Sequence, residues 1–362
     1  MLLIIGPFPT TENEREGMVQ RIKAVDKLVF ECHRNYIQPG RRKPFIPFSK
    51  EINRAEIVYL STLWPWHKSK WRAMFQDASL IYVHSVFMVE AIAQFYPEFG
   101  YKIITDMHGV VPEEFDFSGD LSSSKKYELY ESVAIRYSAH IICVSRAMKI
   151  HFLSKYKDLL PSRLILLRIL EQKSPVKIHG DIQNAADLHL LYAGGMQPWQ
   201  EIDKMLSVIS QLRNKPYQFT LLVPEVPKML EKVEYFGLQD RVRIDSVKPE
   251  KMTNEYAKAD IGIVFREDNI LNRVSFPTKL FEYLENTLVP LVLCSDIGDF
   301  LEYGYRYISI DEMLGKTINK SDLSEIREQN VKVYEKIVSD SVDEVSHISK
   351  ILYKASGNLK ND

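Results

Sequence analysis

The 362-residue sequence contains little cysteine, almost no net charge and no long apolar run. The three cysteines are an odd number, and Cys143 and Cys294 lie in short apolar segments, which predicts reduced, buried thiols rather than a disulfide framework. The formal net charge of -1 gives no general attraction to nucleic acid or to a membrane, so any such contact must be local. No apolar run approaches the ~18 residues of a membrane span, and the N-terminal MLLIIGPFP lacks the basic start of a signal peptide. These absences predict a soluble protein of the cytoplasm.

Motifs of several enzyme classes are also missing. The sequence has no P-loop, no GxGxxG fingerprint, no GxSxG elbow and no cluster with metal-ligand spacing. Kinase-like, hydride-transfer and serine-hydrolase functions therefore lose their usual support, and no metal site is predicted. The content of 45% hydrophobic and 26% charged residues is typical of a folded globular protein.

Short apolar segments alternate with helical patterns along the chain. In the first half, residues 2–5, 57–60, 80–84, 102–106 and 140–145 have the composition of buried strands. Helical patterns, such as VFMVEAIAQFY after the third of these segments, separate several of them. Strands that alternate with helices in this way predict an α/β fold with a doubly wound, parallel sheet.

The length of the chain predicts two such domains rather than one. We expect a Rossmann-like domain over residues 1–171, a polar linker over 172–187 and a second Rossmann-like domain over 188–322, followed by a long helix at about 323–353. Two doubly wound sheets in tandem are expected to face each other across a cleft, with ligands at the carboxyl ends of the strands.

The segment at residues 275–293, SFPTKLFEYLENTLVPLVL, is predicted to form a helix and then a buried strand. Pro277 suits a first helical turn, where its missing N–H would have no partner. The residues that form one apolar helical face are Leu280, Phe281, Leu284 and Leu288. Pro290 is expected to end the helix, so that the strand follows at residues 291–293.

Lys279 is the unusual residue of this segment. A cation in the first turn opposes the helix dipole, at a cost of about 0.3–1 kcal/mol. This cost disappears if an anion such as a phosphate binds the free N–H groups at the same end. Glu282 lies three residues on and is a candidate partner for two sugar hydroxyls, so the pair suggests a nucleotide site. The alternative is an ordinary ion pair on the surface.

Two loops at strand ends carry further candidates. Gly194 and Gly195 follow a predicted strand, where bare backbone can approach a phosphate closely, although an ordinary glycine turn has the same pattern. In the first half, Asp106, His108 and Gly109 follow another strand, so His108 is a candidate to line the cleft. Other polar residues near strand ends are His84, Glu113 and Glu114.

Aromatic and basic residues are mixed within residues 33–72. The stretch WPWHKSKWR, at 64–72, has three tryptophans within eight residues, and HRNYIQPGRRKP, at 33–44, adds Arg34, Arg41, Arg42 and Lys43. This combination suits a membrane interface, so peripheral membrane contact is predicted; a charged surface with packed tryptophans is the alternative. The same composition would suit a nucleic-acid strand, but a chain with almost no net charge has little general attraction for one, so no nucleic-acid partner is predicted.

The order of these segments resembles glycosyltransferase family 4, whose members have the two-domain GT-B fold. SFPTKLFEYLENTLVPLV is similar to the nucleotide-sugar motif of that family in its P-x-K-L-x-E-Y form. Further matching segments, in the expected order up to about residue 300, are REGMVQRIKAVDKL, DMHGVVPEEF, AHIICVSRAMKIHF, YAGGMQPWQEIDKML and NEYAKADIGIV. The resemblance implies that the first domain is the acceptor side and that the C-terminal helix returns to it.

The resemblance also implies a reaction. A sugar would pass from a UDP- or GDP-sugar to a glycan acceptor, with retention of anomeric configuration and without a metal or other cofactor. The implied acceptor is lipid-linked and belongs to cell-surface polysaccharide synthesis at the inner face of the membrane. By position, the implied catalytic residues are His108, Lys279 and Glu282. The implied donor-binding residues are Gly194, Gly195, Asp245, Ser246, Val247, Ser275, Lys279 and Glu282.

Each implied assignment has a chemical role. Glu282 would bind the ribose hydroxyls, and Lys279 would lie near the diphosphate. The glycines at 194–195 would approach the same diphosphate through their backbone. His108 would face the donor sugar from the first domain, and residues 245–247 would lie beside the base.

The sequence departs from the family pattern at two positions. The longer motif has two glutamates separated by seven residues, but the position eight before Glu282 is Val274. Candidates to replace the first glutamate are Asn269, Asn272 and Ser275. The loop after Gly195 also lacks the usual Arg and Lys, so the diphosphate charge would rest on Lys279 and on Arg266 or Arg273.

Two other functions remain alternatives. A sugar-nucleotide epimerase can share the two-domain architecture and would need no acceptor. A non-catalytic, membrane-associated subunit that only binds a nucleotide-sugar would account for both departures from the motif.

Overall fold

The computed structural model of the protein describes residues 1–10, 17–168 and 187–356. These residues form two compact units. The first consists of the described residues up to 168 together with residues 341–356, and the second consists of residues 187–340. Residues 172–186 of the predicted linker lie outside the described part of the chain.

An eight-stranded sheet forms the centre of the first unit. Its strands are β1 (Leu2–Ile5), β2 (Arg34–Gly40), β3 (Phe48–Ile52), β4 (Ala55–Ser61), β5 (Leu80–His84), β6 (Ile103–Asp106), β7 (His140–Cys143) and β8 (Leu164–Leu166). Their spatial order is β3-β4-β2-β1-β5-β6-β7-β8, and only the β3–β4 pair is antiparallel. The strand order reverses between β1 and β5, which is the point where open α/β sheets bind ligands.

Helices cover this sheet through their apolar faces. They are α1 (Gly17–Leu28), α2 (His67–Asp77), α3 (Ser85–Ile92), α4 (Tyr96–Phe99), α5 (Val111–Phe117), α6 (Leu121–Tyr137) and α7 (Arg146–Lys155). In α1, for example, Val19, Ile22 and Val25 recur at helical spacing and are all buried. Ser145 caps α7, because its hydroxyl accepts a hydrogen bond from Met148 N at 2.9 Å.

The sequence did not predict β2 and β3, which fall within the segment interpreted as a basic and aromatic surface. Arg34 begins β2 and is completely buried. Its Nε and Nη2 each lie 2.6 Å from the carboxylate of Asp26, which is on α1. The interpretation of Arg34 as part of a basic surface was therefore wrong, because a buried bidentate ion pair holds its charge inside the unit.

The second unit contains a six-stranded parallel sheet. Its strands are β9 (Leu188–Ala193), β10 (Tyr217–Leu222), β11 (Val242–Asp245), β12 (Ile261–Val264), β13 (Val289–Val292) and β14 (Ile308–Ser309). The spatial order β11-β10-β9-β12-β13-β14 is the Rossmann order 3-2-1-4-5-6, so this sheet has its switch point between β9 and β12. The helices are α8 (Ile202–Gln211), α9 (Val226–Tyr235), α10 (Met252–Tyr256), α11 (Ile270–Val274), α12 (Thr278–Glu285), α13 (Ile310–Gly315) and α14 (Ser324–Ser356).

Helix α12 confirms the helix expected within residues 275–293, with Pro277 as its N-cap. Residue 290 was interpreted wrongly, because β13 begins at Val289 and includes Pro290. The helix is seated on the sheet through Tyr283, whose hydroxyl accepts a hydrogen bond from Ala193 N at 3.0 Å. This packing of α12 on the sheet requires Gly262 in β12, since a Cβ there would lie 2.2 Å from the Tyr283 ring.

Helix α14 contributes to the cores of both units. Its first part packs Val333, Tyr334 and Ile337 into the core of the second unit. Its last part packs Ile348 and Leu352 into the core of the first. None of the described helices is both long enough and apolar enough to cross a membrane.

Candidate functional site

The carboxyl edge of the second sheet brings several predicted residues together. Gly194 directly follows β9, and Arg266 lies two residues beyond the end of the neighbouring strand β12. Lys279 is the second residue of α12, which packs against β12 and β13. The sequence therefore places these three residues at the switch point of a Rossmann sheet, where the backbone N–H groups and helix ends of such folds bind phosphates.

Lys279 lies inside the unit, because only 9% of its surface is exposed. Its ammonium donates a hydrogen bond to Gln200 Oε1 at 3.0 Å and lies 3.8 Å from the centre of the Tyr192 ring. Burial lowers the pKa of Lys279 well below its ordinary value, Arg266 lowers it further, and Glu282 opposes the shift. The alternative of a surface ion pair is wrong for this lysine.

Gly194 allows the lysine to reach this position. Its φ of +151° is one that other residues rarely adopt, and a Cβ there would lie 2.8 Å from both Cε and Nζ of Lys279. The N–H of Gly194 bonds to Leu222 O at 3.0 Å, which ties the loop to β10. Gly195 follows, and its carbonyl accepts a hydrogen bond from the Tyr192 hydroxyl at 2.5 Å.

Arg266 is the second buried cation at this edge, with 8% of its surface exposed. Its Nη1 donates to Asn272 Oδ1 at 3.1 Å and to Ser275 Oγ at 3.2 Å, and burial lowers its pKa to about 10. Its buried Nε has no hydrogen-bond partner among the described residues. Arg273, the other candidate, is exposed and pairs with Asp268 through Nε at 2.5 Å. Of the two arginines, only Arg266 thus belongs to this edge.

The two cations have an unusual charge environment. Within the described part of the chain, no carboxylate forms a salt bridge with Lys279 or Arg266. The hydrogen-bond acceptors of these two cations are uncharged oxygens, which belong to Gln200, Asn272 and Ser275. Buried charges are normally paired, because an unpaired charge loses its hydration without compensation. This arrangement is therefore suited to an anionic ligand.

Glu282 lies one turn beyond Lys279 on α12 and is partly buried. Its Oε2 accepts a hydrogen bond from the Tyr256 hydroxyl at 2.6 Å. Burial raises the pKa of Tyr256 far above its ordinary value, and the nearby Glu282 carboxylate raises it further, so the tyrosine stays protonated and acts as a donor. Tyr256 thereby fixes the orientation of the carboxylate.

The remaining predicted donor residues lie at the same edge of the sheet. Asp245 ends β11, and Ser246 and Val247 follow it. Asp245 and Ser246 are exposed, and Val247 packs partly against the core. Ser275 lies between α11 and α12, where its hydroxyl accepts from Arg266 and donates to Asn272 O at 3.0 Å.

The first unit holds a second group of polar residues around Asp106, which is completely buried at the end of β6. Arg21 binds it through Nε and Nη2, the latter at 2.7 Å from Oδ1, and the Tyr82 hydroxyl donates to Oδ2 at 2.8 Å. Burial opposes ionisation of this carboxyl, but Arg21 and His108 outweigh it and hold its pKa well below the usual range. Asp106 is therefore an ionised, fully engaged carboxylate.

His108 and His84 lie on either side of this carboxylate. The nearest nitrogens are His108 Nε2 at 3.3 Å and His84 Nδ1 at 3.8 Å from Asp106 Oδ2. No ring nitrogen of either histidine has a hydrogen-bond partner with good geometry among the described residues. His84 is completely buried, whereas the His108 side chain is 13% exposed, so only His108 has a surface that a ligand can reach.

The three side chains His84, Asp106 and His108 are close enough to share a metal ion, since their ligand atoms lie within 4.8 Å of one another. The charge distribution does not suit one. Both oxygens of Asp106 already bind Arg21 and Oδ2 also binds Tyr82, so an ion would have to approach next to a guanidinium. We therefore interpret the group as an orienting network for His108.

Glu113 and Glu114, which follow the same loop, have different surroundings. Glu113 bonds to Lys155 at 2.8 Å and to His151 at 3.1 Å, so it serves an ionic network on α7. Glu114 has its pKa raised by burial and by Glu113, and a Cβ on Gly109 would lie 2.4 Å from its Oε1. The Glu114 contact holds the loop before α5 against that helix, and the Glu113 contacts hold α5 against α7.

Sequence reasoning missed several residues that complete these two sites. They are Tyr192, Gln200 and Tyr256 in the second unit, and Arg21 and Tyr82 in the first. Tyr192 carried a usable signal, because it is the last residue but one of a buried strand that leads directly into the glycine pair. Gln200 lies in the loop that lacks the usual Arg and Lys, and its side chain accepts a hydrogen bond from Lys279.

The sequence matches no protein-family model and no curated protein sequence. Solved structures do match it over nearly the whole chain. Sucrose-phosphate synthase from Thermosynechococcus elongatus has a TM-score of 0.72 and 11% sequence identity over 98% of each chain. HepE from Anabaena, in complex with UDP, has a TM-score of 0.69 and 12% identity over 98% of this chain and 99% of that one. WaaG, a glycosyltransferase involved in lipopolysaccharide biosynthesis, has a TM-score of 0.54 and 12% identity over 99% of this chain and 98% of that one. Together with the two parallel sheets, these matches confirm the predicted α/β fold of the GT-B type with two Rossmann-like domains.

Proposed function

We propose that the protein is a glycosyltransferase that moves a sugar from a nucleotide-sugar donor to a glycan acceptor. The observation that carries this proposal is the pair of buried cations, Lys279 and Arg266, at the switch point of a Rossmann sheet. Neither has a carboxylate partner among the described residues, and the Gly194 backbone lies beside the lysine. A diphosphate would supply the missing negative charge.

For the donor we favour a UDP-sugar. The structures of HepE contain UDP or UDP-glucose, which supports uridine over guanosine among the two bases considered. In this proposal, Glu282 accepts the ribose hydroxyls, held in place by Tyr256. Residues 245–247 lie beside the base, and the backbone at 194–195 lies beside the diphosphate.

The proposed chemistry is a retaining transfer without a metal. The bond between the anomeric carbon and the diphosphate oxygen breaks while the acceptor oxygen bonds to the same face of the sugar. The acceptor proton passes to the departing diphosphate, so no separate base is needed. Lys279, Arg266 and the N-terminal N–H groups of α12 stabilise the charge that develops on the leaving group. One buried guanidinium and one buried ammonium group can stabilise this charge, as a divalent cation does in metal-dependent enzymes.

His108 is proposed to contact the donor sugar. The Asp106 carboxylate, itself held by Arg21 and Tyr82, lies 3.3 Å from Nε2 and can orient the imidazole. If the transfer were inverting, a base would be required. His108 would then be the better candidate of the two considered, because the oxygens of Asp106 are already engaged.

For the acceptor we propose a lipid-linked glycan in cell-surface polysaccharide synthesis, used at the cytoplasmic face of a membrane. Membership of glycosyltransferase family 4 would account for the P-x-K-L-x-E-Y segment and for a cation at position 279. The exposed aromatic and basic residues of the first unit support a membrane location.

The first experiment is a thermal-shift panel with UDP, GDP and ADP. A nucleotide that binds only the folded protein raises its melting temperature, by an amount that grows with concentration over Kd. We expect UDP to give the largest shift. Equal shifts from all three, or none from any, would contradict the donor assignment.

The second experiment measures transfer by the variants Lys279→Ala and Glu282→Ala. Lys279→Ala is expected to lower kcat/KM by about 100-fold or more, because loss of one group that stabilises transition-state charge typically costs that much. Glu282→Ala is expected to lower it by about tenfold or more, because the hydrogen bonds between the ribose hydroxyls and a charged carboxylate are lost. Lys316→Ala and Glu312→Ala, an exposed ion pair on α13, are matched controls that should leave transfer unchanged. Near-normal activity in both site variants would refute the site. Conversion of the donor alone would favour an epimerase, and nucleotide binding without turnover would favour a binding subunit.

A further inference from the structure

One face of the first unit exposes an unusual number of large apolar side chains. We call it the aromatic surface; its exposed members are Phe45, Ile46, Phe48, Leu63 and Trp66, and the half-buried Trp64 packs among them. Ile46 is 72% exposed, Phe45 is 59% exposed and Trp66 is 48% exposed. Single exposed apolar residues are ordinary, but several on two short segments that hydrogen-bond to each other mark an interaction site.

The aromatic surface is built from rings that contact one another. Phe45 lies 5.1 Å from Trp64 and 5.0 Å from Trp66, and the two indoles are stacked at 5.0 Å. Phe48 stacks at 4.4 Å on Tyr59, across the antiparallel pair β3 and β4. The group is therefore an ordered structure on the edge of the sheet.

The polar atoms of the indoles already have partners. Trp64 Nε1 donates to Arg42 O at 2.8 Å, and Trp66 Nε1 donates to Phe45 O at 3.0 Å. His67 supports the same turn, since its Nδ1 accepts from Ser61 N at 2.8 Å and its Nε2 lies 3.1 Å from Phe45 O. A nonpolar medium against these rings would leave neither indole N–H without a partner.

Both segments that carry this surface are rich in basic residues, and the exposed Glu51 directly follows the first of them. Residues 41–50 contain four lysines or arginines, residues 62–72 contain three, and neither segment contains Asp or Glu. Arg72 pairs with Glu98. The other six form no salt bridge with a described residue, and they are Arg41, Arg42, Lys43, Lys50, Lys68 and Lys70. In a chain with a net charge of -1, this is a local concentration of positive charge.

The surface is smaller than the region predicted from the sequence. Trp71 is 2% exposed and His67 is completely buried, so both belong to the interior of the unit, as Arg34 does. What remains is a compact group of exposed apolar side chains with a rim of unpaired cations. The packed-tryptophan alternative thus applies to Trp71 and in part to Trp64, which is half-buried.

We propose that the aromatic surface inserts into the interfacial layer of a membrane that contains anionic lipids, with the six cations on the lipid headgroups. Amphipathic aromatic rings and lysine or arginine rims are the features that hold proteins at this layer. The aliphatic members Ile46 and Leu63 favour acyl chains over nucleic-acid bases, which bind by stacking on aromatic faces. This inference extends the proposed function. It rests on that function only where it takes the acceptor to be lipid-linked.

Vesicle flotation of the full chain tests the proposal, with phosphatidylcholine vesicles that contain or lack phosphatidylglycerol. We expect binding only to the anionic vesicles at low salt, and weaker binding at high salt. Lys68→Gln with Lys70→Gln should weaken it about 30-fold, since each basic residue near such a surface contributes about fivefold. Ile46→Ser with Leu63→Ser should weaken it by about tenfold through lost insertion.

Matched variants separate this surface from general effects. Lys125→Gln with Arg213→Gln removes two exposed cations elsewhere, and Leu129→Ser with Leu160→Ser removes two exposed leucines of the same unit. Both should bind vesicles as the parent protein does. The melting temperature of each variant, with and without UDP, reports folding and donor binding separately from vesicle binding. A missing UDP shift would therefore refute the proposed function and leave the vesicle result standing.

Three results would overturn the membrane proposal. The first is a failure to bind anionic vesicles at low salt, and the second is an equal loss of binding in the control variants. The third is that the parent protein binds a single-stranded oligonucleotide but no vesicles, and that the Lys68/Lys70 variant no longer binds the oligonucleotide. Any of these would show that the exposed group has another partner or none.

Discussion

His84 makes the stability of the first unit depend on pH in a way that can be worked out from its surroundings. It ends β5 at the switch point of the sheet and is completely buried. The charged and titratable groups that face it are Asp106, with Oδ2 at 3.8 Å, His108 and Tyr82, with ring centres at 5.6 Å and 4.8 Å, and Arg21. Burial lowers the pKa of His84 from 6.5 to about 3, His108 and Arg21 act in the same direction, and Asp106 opposes them.

The sign and size of the effect follow from proton binding. Below pH 6.5 the unfolded chain takes up a proton at His84, while the folded protein does not until about pH 3. Stability is therefore lost as the pH falls through this window, with a slope of up to about 1.4 kcal/mol per pH unit. Between pH 7 and pH 5 the loss amounts to about 2 kcal/mol. Asp106 also has a lowered pKa, but its contribution is lost only below its ordinary value of 3.8, so it leaves this window undisturbed.

Urea unfolding at pH 7 and pH 5, followed by tryptophan fluorescence, measures this loss. Three of the four tryptophans, Trp64, Trp66 and Trp71, lie in the first unit and report on its transition. His84→Asn should reduce the difference in unfolding free energy between the two pH values by about 2 kcal/mol. His33→Asn, at an exposed position, should keep the parent difference. If His84→Asn lost as much stability on acidification as the parent protein, the reasoning about burial would be refuted.

Two further predictions concern the second unit. Arg266→Gln should weaken UDP binding by about tenfold or more in a titration, because a charge-assisted contact to phosphate is lost, whereas Arg273→Gln should leave it unchanged; equal Kd values for the two variants would contradict the assignment of Arg266. Gly194→Ala should lower both the melting temperature and the affinity for UDP, since its Cβ would meet Lys279 Nζ at 2.8 Å. Gly119→Ala, with a φ of +81° but open space around it, is the control for backbone strain alone, at a cost of about 1 kcal/mol; equal losses would show that the contact with Lys279 is unimportant.

Much of the fold could be predicted because the central strands are short, continuous apolar runs. Strands β1 and β5 lie where the sequence placed them, at 2–5 and 80–84. Strand β2 could not be recognised, since Arg34 at its start and Pro39 near its end are residues that argue against a buried strand. The burial of Arg34 is made acceptable by the pairing with Asp26, on a different element, and by hydrogen bonds from Nη1 to backbone carbonyls. A pattern in one segment contains no information about such a partner.

The candidate site could be predicted in position but not in its contacts. The helix containing Lys279 was evident from its apolar face, but the same pattern left a nucleotide site and a surface ion pair as alternatives for the lysine. Its burial depends on Tyr192 and Gln200, which come from a strand and a loop about eighty residues earlier. Glycine at 194 was recognised as a site of close approach, but the group that approaches is the lysine itself. Tertiary contacts of this kind arise only when the elements pack.

The two departures from the family-like motif concern the residues around Arg266 and Lys279. The position where a first glutamate was expected is Val274, which is 3% exposed and belongs to the interior. Adjacent Ser275 instead accepts a hydrogen bond from Arg266, and Asn272 accepts a second one. The loop after Gly195, which lacks the usual cations, supplies Gln200 as an acceptor for Lys279. The cations at this edge of the sheet therefore lie at the end of β12 and in the first turn of α12, and the loop of residues 196–200 contributes none.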